Sequence, residues 1–95
     1  MAPNRVAEIF VRDLDRSSSV LWIKIKEDNN LTSYHLETLA EASDLEVARK
    51  VERRIEQGLQ FNAIVTDGSR LFRGQKLATL LHFYQIQHIC PSQGA

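Results

Sequence analysis

Residues 43–74 read SDLEVARKVERRIEQGLQFNAIVTDGSRLFRG, a capped helix followed at once by strand-like sequence around a turn. Ser43 and Glu46 have the spacing of a capping box, in which the hydroxyl accepts from the Glu46 amide and the carboxylate reaches back to the Ser43 amide. Asp44 and Glu46 also suit the positive end of the helix dipole. Leu45, Ala48, Val51, Ile55 and Leu59 recur at helical spacing and predict one apolar stripe. Glu46 and Lys50 form a favourable i,i+4 pair, and Gly58 marks the helix end. Phe61–Thr66, Asp67-Gly68 and Ser69–Arg73 then predict a β-hairpin, because Asp-Gly between β-favouring runs is a strong two-residue turn signal. In that register one face carries Phe61, Ala63, Val65 and Phe72, and the other carries Ile64 and Leu71.

Upstream, three period-two segments predict strands. Val6–Arg12 is the first. In Val20–Glu27, Leu21, Ile23 and Ile25 point one way, and Val20, Trp22, Lys24 and Lys26 the other. Asp28-Asn29-Asn30 marks a turn, and Thr32–Ala40 returns antiparallel. Downstream, Leu77, Leu80, Leu81 and Tyr84 predict a second helix starting near Gln75. Phe83 and Ile86 fall off its stripe. Either the helix ends near Gln85 and Ile86–Cys90 is extended, or the helix shows a second apolar edge to a partner. Pro91 disfavours helix at Cys90, and 91–95 reads as a frayed tail. The expected fold is α+β: a small, mostly antiparallel sheet with two helices, in the order β-β-β-α-β-β-α, as one domain over 1–95.

Ninety-five residues with a formal net charge of zero argue against a polycationic nucleic-acid binder of the histone kind. Cys90 is the single cysteine, so no intrachain disulfide forms. A small secreted domain often carries several, which favours a reducing, cytoplasmic setting. No apolar run approaches the ~18 residues of a membrane span, and the N-terminal sequence does not read as a signal peptide.

The candidate chemistry is sparse. Arg49, Lys50, Arg53, Arg54, Arg70, Arg73 and Lys76 gather along the helix and just after it, where they could contact phosphates. Glu46, Glu52 and Glu56 share that helix, which equally describes a solvated, ion-paired face. Trp22 with Lys24 and Lys26, beside His35, could stack a base and hold its phosphate; it could also pack under a helix with the lysine stems snorkelling outward. His82, His88 and Cys90, even with His35, fit a zinc site poorly, because a second cysteine pair is missing and the two histidines are six residues apart. Cys90 with a histidine lacks the orienting third group of a nucleophile pair. Asp13, Asp15 and the serine run 17–19 read as a polar loop, Asp67 as a hairpin residue, and the scattered glycines form no phosphate loop.

These readings predict a non-enzymatic module with no metal and no cofactor. The leading expectation is a protein–protein or adaptor domain, plausibly a homodimer, using Trp22, Ile64, Leu71, Phe83 and Ile86. The alternative is an RNA- or DNA-binding module using Arg49, Lys50, Arg53, Arg70, Arg73 and Lys76.

Overall fold

Period-two alternation in the first forty residues builds a three-stranded meander of β1 (Arg5–Asp13), β2 (Ser19–Glu27) and β3 (Asn30–Leu39). The structure, a computed structural model, describes residues 4–90. The tail expected at 91–95 lies outside the described residues. Asp28 and Asn29 both adopt positive φ, 53° and 71°, between the paired residues Glu27 and Asn30. This is the two-residue hairpin turn whose twist suits antiparallel strands.

Helix α1 (Asp44–Glu56) follows. Half of the expected capping box forms: Ser43 Oγ accepts from the Glu46 amide at 3.2 Å, whereas the Ser43 amide donates to the Glu41 carbonyl instead. Gly58, at φ 107°, ends the helix. Its amide donates to the Ile55 carbonyl, and the Leu59 amide to the Arg54 carbonyl. These two bonds make a Schellman motif and satisfy carbonyls the helix leaves open. The buried stripe is Val47, Ala48 and Val51; Leu45, expected inside, is exposed.

The remaining elements are β4 (Ala63–Val65), a single 3₁₀ turn (Arg70–Phe72), α2 (Gln75–Phe83) and β5 (Gln87–Ile89). Five strands and two helices are thus present, with the fifth strand after α2 and the 3₁₀ turn where the second hairpin strand was expected. The sheet runs β3-β2-β1-β4-β5 and is mixed rather than mostly antiparallel, because β4 pairs parallel to β1 and β5 pairs parallel to β4. The Asp67-Gly68 hairpin does not form. Thr66 Oγ1 accepts from the Gly68 amide at 3.1 Å, and Asp67 Oδ1 accepts from the Ser69 amide at 2.9 Å. These local bonds give the backbone an alternative to a ladder, and both edges of β4 are already occupied by β1 and β5. Phe72, expected on a hairpin face, is buried in the core instead.

The core lies between the helices and one sheet face. Ala7, Ile9, Leu21, Ile23, Ile25 and Ile64 meet Val47, Val51, Leu77 and Leu81 there. The other face of the meander, which carries Phe10, Trp22 and Tyr34, has no helix packed on it among the described residues. Alternation along β1 and β2 accounts for this: Ala7, Ile9, Leu21, Ile23 and Ile25 point inward, while Glu8, Phe10, Arg12, Trp22, Lys24 and Lys26 point outward.

Candidate functional site

Strands β1, β4 and β5 run parallel, so their carboxyl ends share one edge of the sheet. Ligands of open α/β sheets bind preferentially outside that edge. Thr66 leaves β4 there and is buried. Its Oγ1 lies 2.7 Å from His88 Nε2 and 3.7 Å from Cys90 Sγ, and His88 Nε2 lies 3.5 Å from that sulfur. Burial of the His88 ring holds its pKa below the ordinary value of 6.5. An imidazole, a hydroxyl and a thiol therefore cluster at this edge, next in sequence to exposed Asp67. Sequence spacing did not join Thr66 to this group; parallel pairing of β4 with β5 does so. Among the described residues no three His, Cys, Asp or Glu side chains converge on a common point. His82 lies exposed on α2.

Past Asp67 the chain carries Arg70, Arg73 and Lys76, all exposed. Asp44, the first residue of α1, fixes this segment. Its carboxylate accepts from the Lys76 amide at 2.8 Å and the Leu77 amide at 3.0 Å. Asp44 therefore supplies, from another helix, the cap that Gly74 at the start of α2 cannot provide. The basic residues of α1 divide. Arg49 lies with Lys76 along a groove of about 410 Å³ between the helices, edged by Leu45, Glu52 and Phe83. Arg53 is exposed and Lys50 half-buried. Arg54 is taken up by the fold: its Nε and Nη2 meet Glu37, Nη2 donates to the Leu36 carbonyl at 3.3 Å, and Nη1 lies 3.3 Å from His35 Nδ1. Desolvation first, and then the Arg54 charge, hold the His35 pKa below its ordinary value. His35 is therefore on the helix side of β3 and not beside Trp22.

The residues expected at a protein-binding face scatter. Ile64 has no exposed surface and belongs to the core. Leu71 and Ile86 are half-buried and pack on that core. Phe83 is 75% exposed. Trp22 is neither under a helix nor beside His35. It stands on the open sheet face between Phe10, at a ring-centroid distance of 5.8 Å and nearly parallel, and Tyr34, at 6.0 Å. Phe10 and Tyr34 were not singled out in the sequence; the cross-strand register Phe10–Trp22 and the neighbouring pair Lys24–Tyr34 assemble the row.

A five-stranded mixed sheet in the order β3-β2-β1-β4-β5, with both helices on one face, defines the fold class of this chain. Among solved structures it is similar to the catalytic core domain of BIV integrase, with a TM-score of 0.70 and 14% identity over 88% of this chain and 52% of that one. The chain therefore spans about half the length of that structure. No family model and no curated protein matches the sequence. The expectation of a non-enzyme is corrected by this finding: the architecture is that of an enzyme's catalytic core domain. No compact motif in the sequence signals this architecture, because its edge is assembled from three parallel strands distant in sequence. Among the described residues no helix is long and apolar enough to cross a membrane.

Proposed function

We propose that this chain is a nucleic-acid-binding domain built on the integrase-core fold, and that it engages backbone phosphates at the carboxyl edge of its parallel strands. The observation that carries the reading is the exposed basic segment Arg70, Arg73 and Lys76, held at that edge by Asp44. The integrase neighbour supports nucleic acid as the ligand class. Zero net charge does not oppose it, because the cations that matter are local. Of the α1 cations, Arg49 shares the groove with Lys76 and can extend the contact, whereas Arg54 is already engaged by Glu37.

A salt series tests this reading. Affinity for a labelled duplex oligonucleotide should fall steeply between roughly 50 and 200 mM salt. The double substitution Arg70→Gln, Arg73→Gln should weaken binding for every sequence and lower the log–log salt slope by about 2. An unchanged slope, or no binding at low salt, defeats the reading.

A second reading, contact with another protein chain or a second copy through the α1–α2 groove, is favoured by the exposure of Phe83 and Leu45 beside it. On that reading Phe83→Glu converts an assembly seen by sedimentation into monomer. A monomer at high concentration before the substitution argues against self-association through Phe83.

A further inference from the structure

We infer that the open face of the sheet, along Phe10, Trp22 and Tyr34, is a stacking surface for the bases of a single-stranded nucleic acid, with Lys24 and Arg12 holding its phosphates. The inference rests on nucleic acid being this chain's ligand, and it assigns a surface and a strand state that the carboxyl edge does not define.

The row runs across three strands, β1 to β3. Its rings stack at 5.8 and 6.0 Å between centroids, with interplanar angles of 6° and 30°. At its inner end Arg12 Cζ lies 5.2 Å and Lys24 Nζ 5.4 Å from the centre of the Phe10 ring. At its outer end, on the edge strand, Tyr34 is 60% exposed. A base that stacks on Tyr34 extends the row, and Lys24 is the cross-strand neighbour of Tyr34. Stacking of this kind is tolerant of sequence because every base has a π-face, and it requires bases free of a duplex.

Charge selects this occupant. Of the charged side chains on this face, Glu8 stands opposite Lys24 in the β1–β2 register but forms its ion pair with Lys26, at 2.9 Å; Arg12 and Lys24 lie against the Phe10 ring and are the cations placed to meet an incoming anion. A second copy docked face to face would bring the same two cations against themselves, and like-charge juxtaposition disfavours that contact. An apolar protein segment would gain the rings but offer neither cation an anionic partner.

Trp22 is the only tryptophan in the chain, so its emission reports on this face directly. Titration with oligothymidylate at low salt should change that emission. Tyr34→Ala, at an exposed position where folding is little affected, should weaken oligothymidylate binding about 5- to 150-fold while leaving duplex binding near its original affinity. Equal oligothymidylate affinity in Tyr34→Ala, or saturation with no change in Trp22 emission, overturns the inference. So does Trp22 emission that depends on protein concentration without nucleic acid, because a second copy then covers the face. If duplex binding responds to Arg70→Gln, Arg73→Gln while Tyr34→Ala is silent toward both ligands, the stacking surface fails and the carboxyl-edge reading stands. If neither nucleic acid binds at low salt, both fail.

Discussion

Ile64→Ala should destabilise the domain by about 2–5 kcal/mol. The side chain has no exposed surface and packs with Ala7, Val47, Val51 and Leu77 in one cluster. It is the central residue of β4, with Ala7 of β1 on one side and His88 of β5 on the other. Truncation removes the apolar surface it buries and leaves a cavity between sheet and helix, which close packing fills only in part. Total stability for a domain of this size is about 5–14 kcal/mol, so the loss is a large share of the whole. The melting temperature should fall by at least about 8 °C, and the urea midpoint should move with little change in slope. Leu36→Ala, at an exposed position on the open face, should stay within about 0.5 kcal/mol of the original. If both substitutions cost the same small amount, Ile64 is not where the structure places it.

The second large effect concerns Asp44 and Gly74. Asp44→Ala removes the acceptor for the Lys76 and Leu77 amides, and loss of such a cap costs about 1–2 kcal/mol. Gly74→Ala should also destabilise, for a different reason. A Cβ at position 74 would collide with Asp44 Cγ and lie 2.6 Å from Asp44 Cβ. The carboxylate must then leave the helix start, so the substitution brings the loss of the cap together with crowding that costs about 1–3 kcal/mol. The two changes should be non-additive. In an Asp44→Ala background Gly74→Ala should cost at least about 0.5 kcal/mol less than it does alone. Strict additivity in denaturant unfolding would mean that Asp44 does not cap α2. Because Asp44 also anchors the segment bearing Arg73 and Lys76, Asp44→Ala should weaken duplex binding along with stability.

How much of this was legible depends on the distance over which each feature is held. The meander was readable because its register is set by alternation and by a turn two residues long, Asp28-Asn29. Helix α1 was readable because Ser43 and Gly58 act within one turn of its ends. Strand β5 was legible only as an alternative: Gln87–Ile89 is three residues long and is defined by pairing with Ala63–Val65. The Asp67-Gly68 signal misled because the same residue types that turn a hairpin also bond their own backbone, and here the second use prevails. Trp22 was singled out from its sequence neighbours, yet its ring partners Phe10 and Tyr34 lie twelve residues away on either side, a separation at which only strand pairing brings side chains together.

The sequence alone therefore determined which residues of the meander share a face, and the start and end of α1; each follows from hydrogen bonds or periodicity within a few residues. Tertiary structure decided that β4 and β5 pair in parallel, that Asp44 caps α2, that Ile64 is core, and that Phe10, Trp22 and Tyr34 form one exposed row. Those outcomes depend on contacts between residues far apart in the chain, whose free energy appears only when the sheet is assembled and one of its faces is covered while the other stays open.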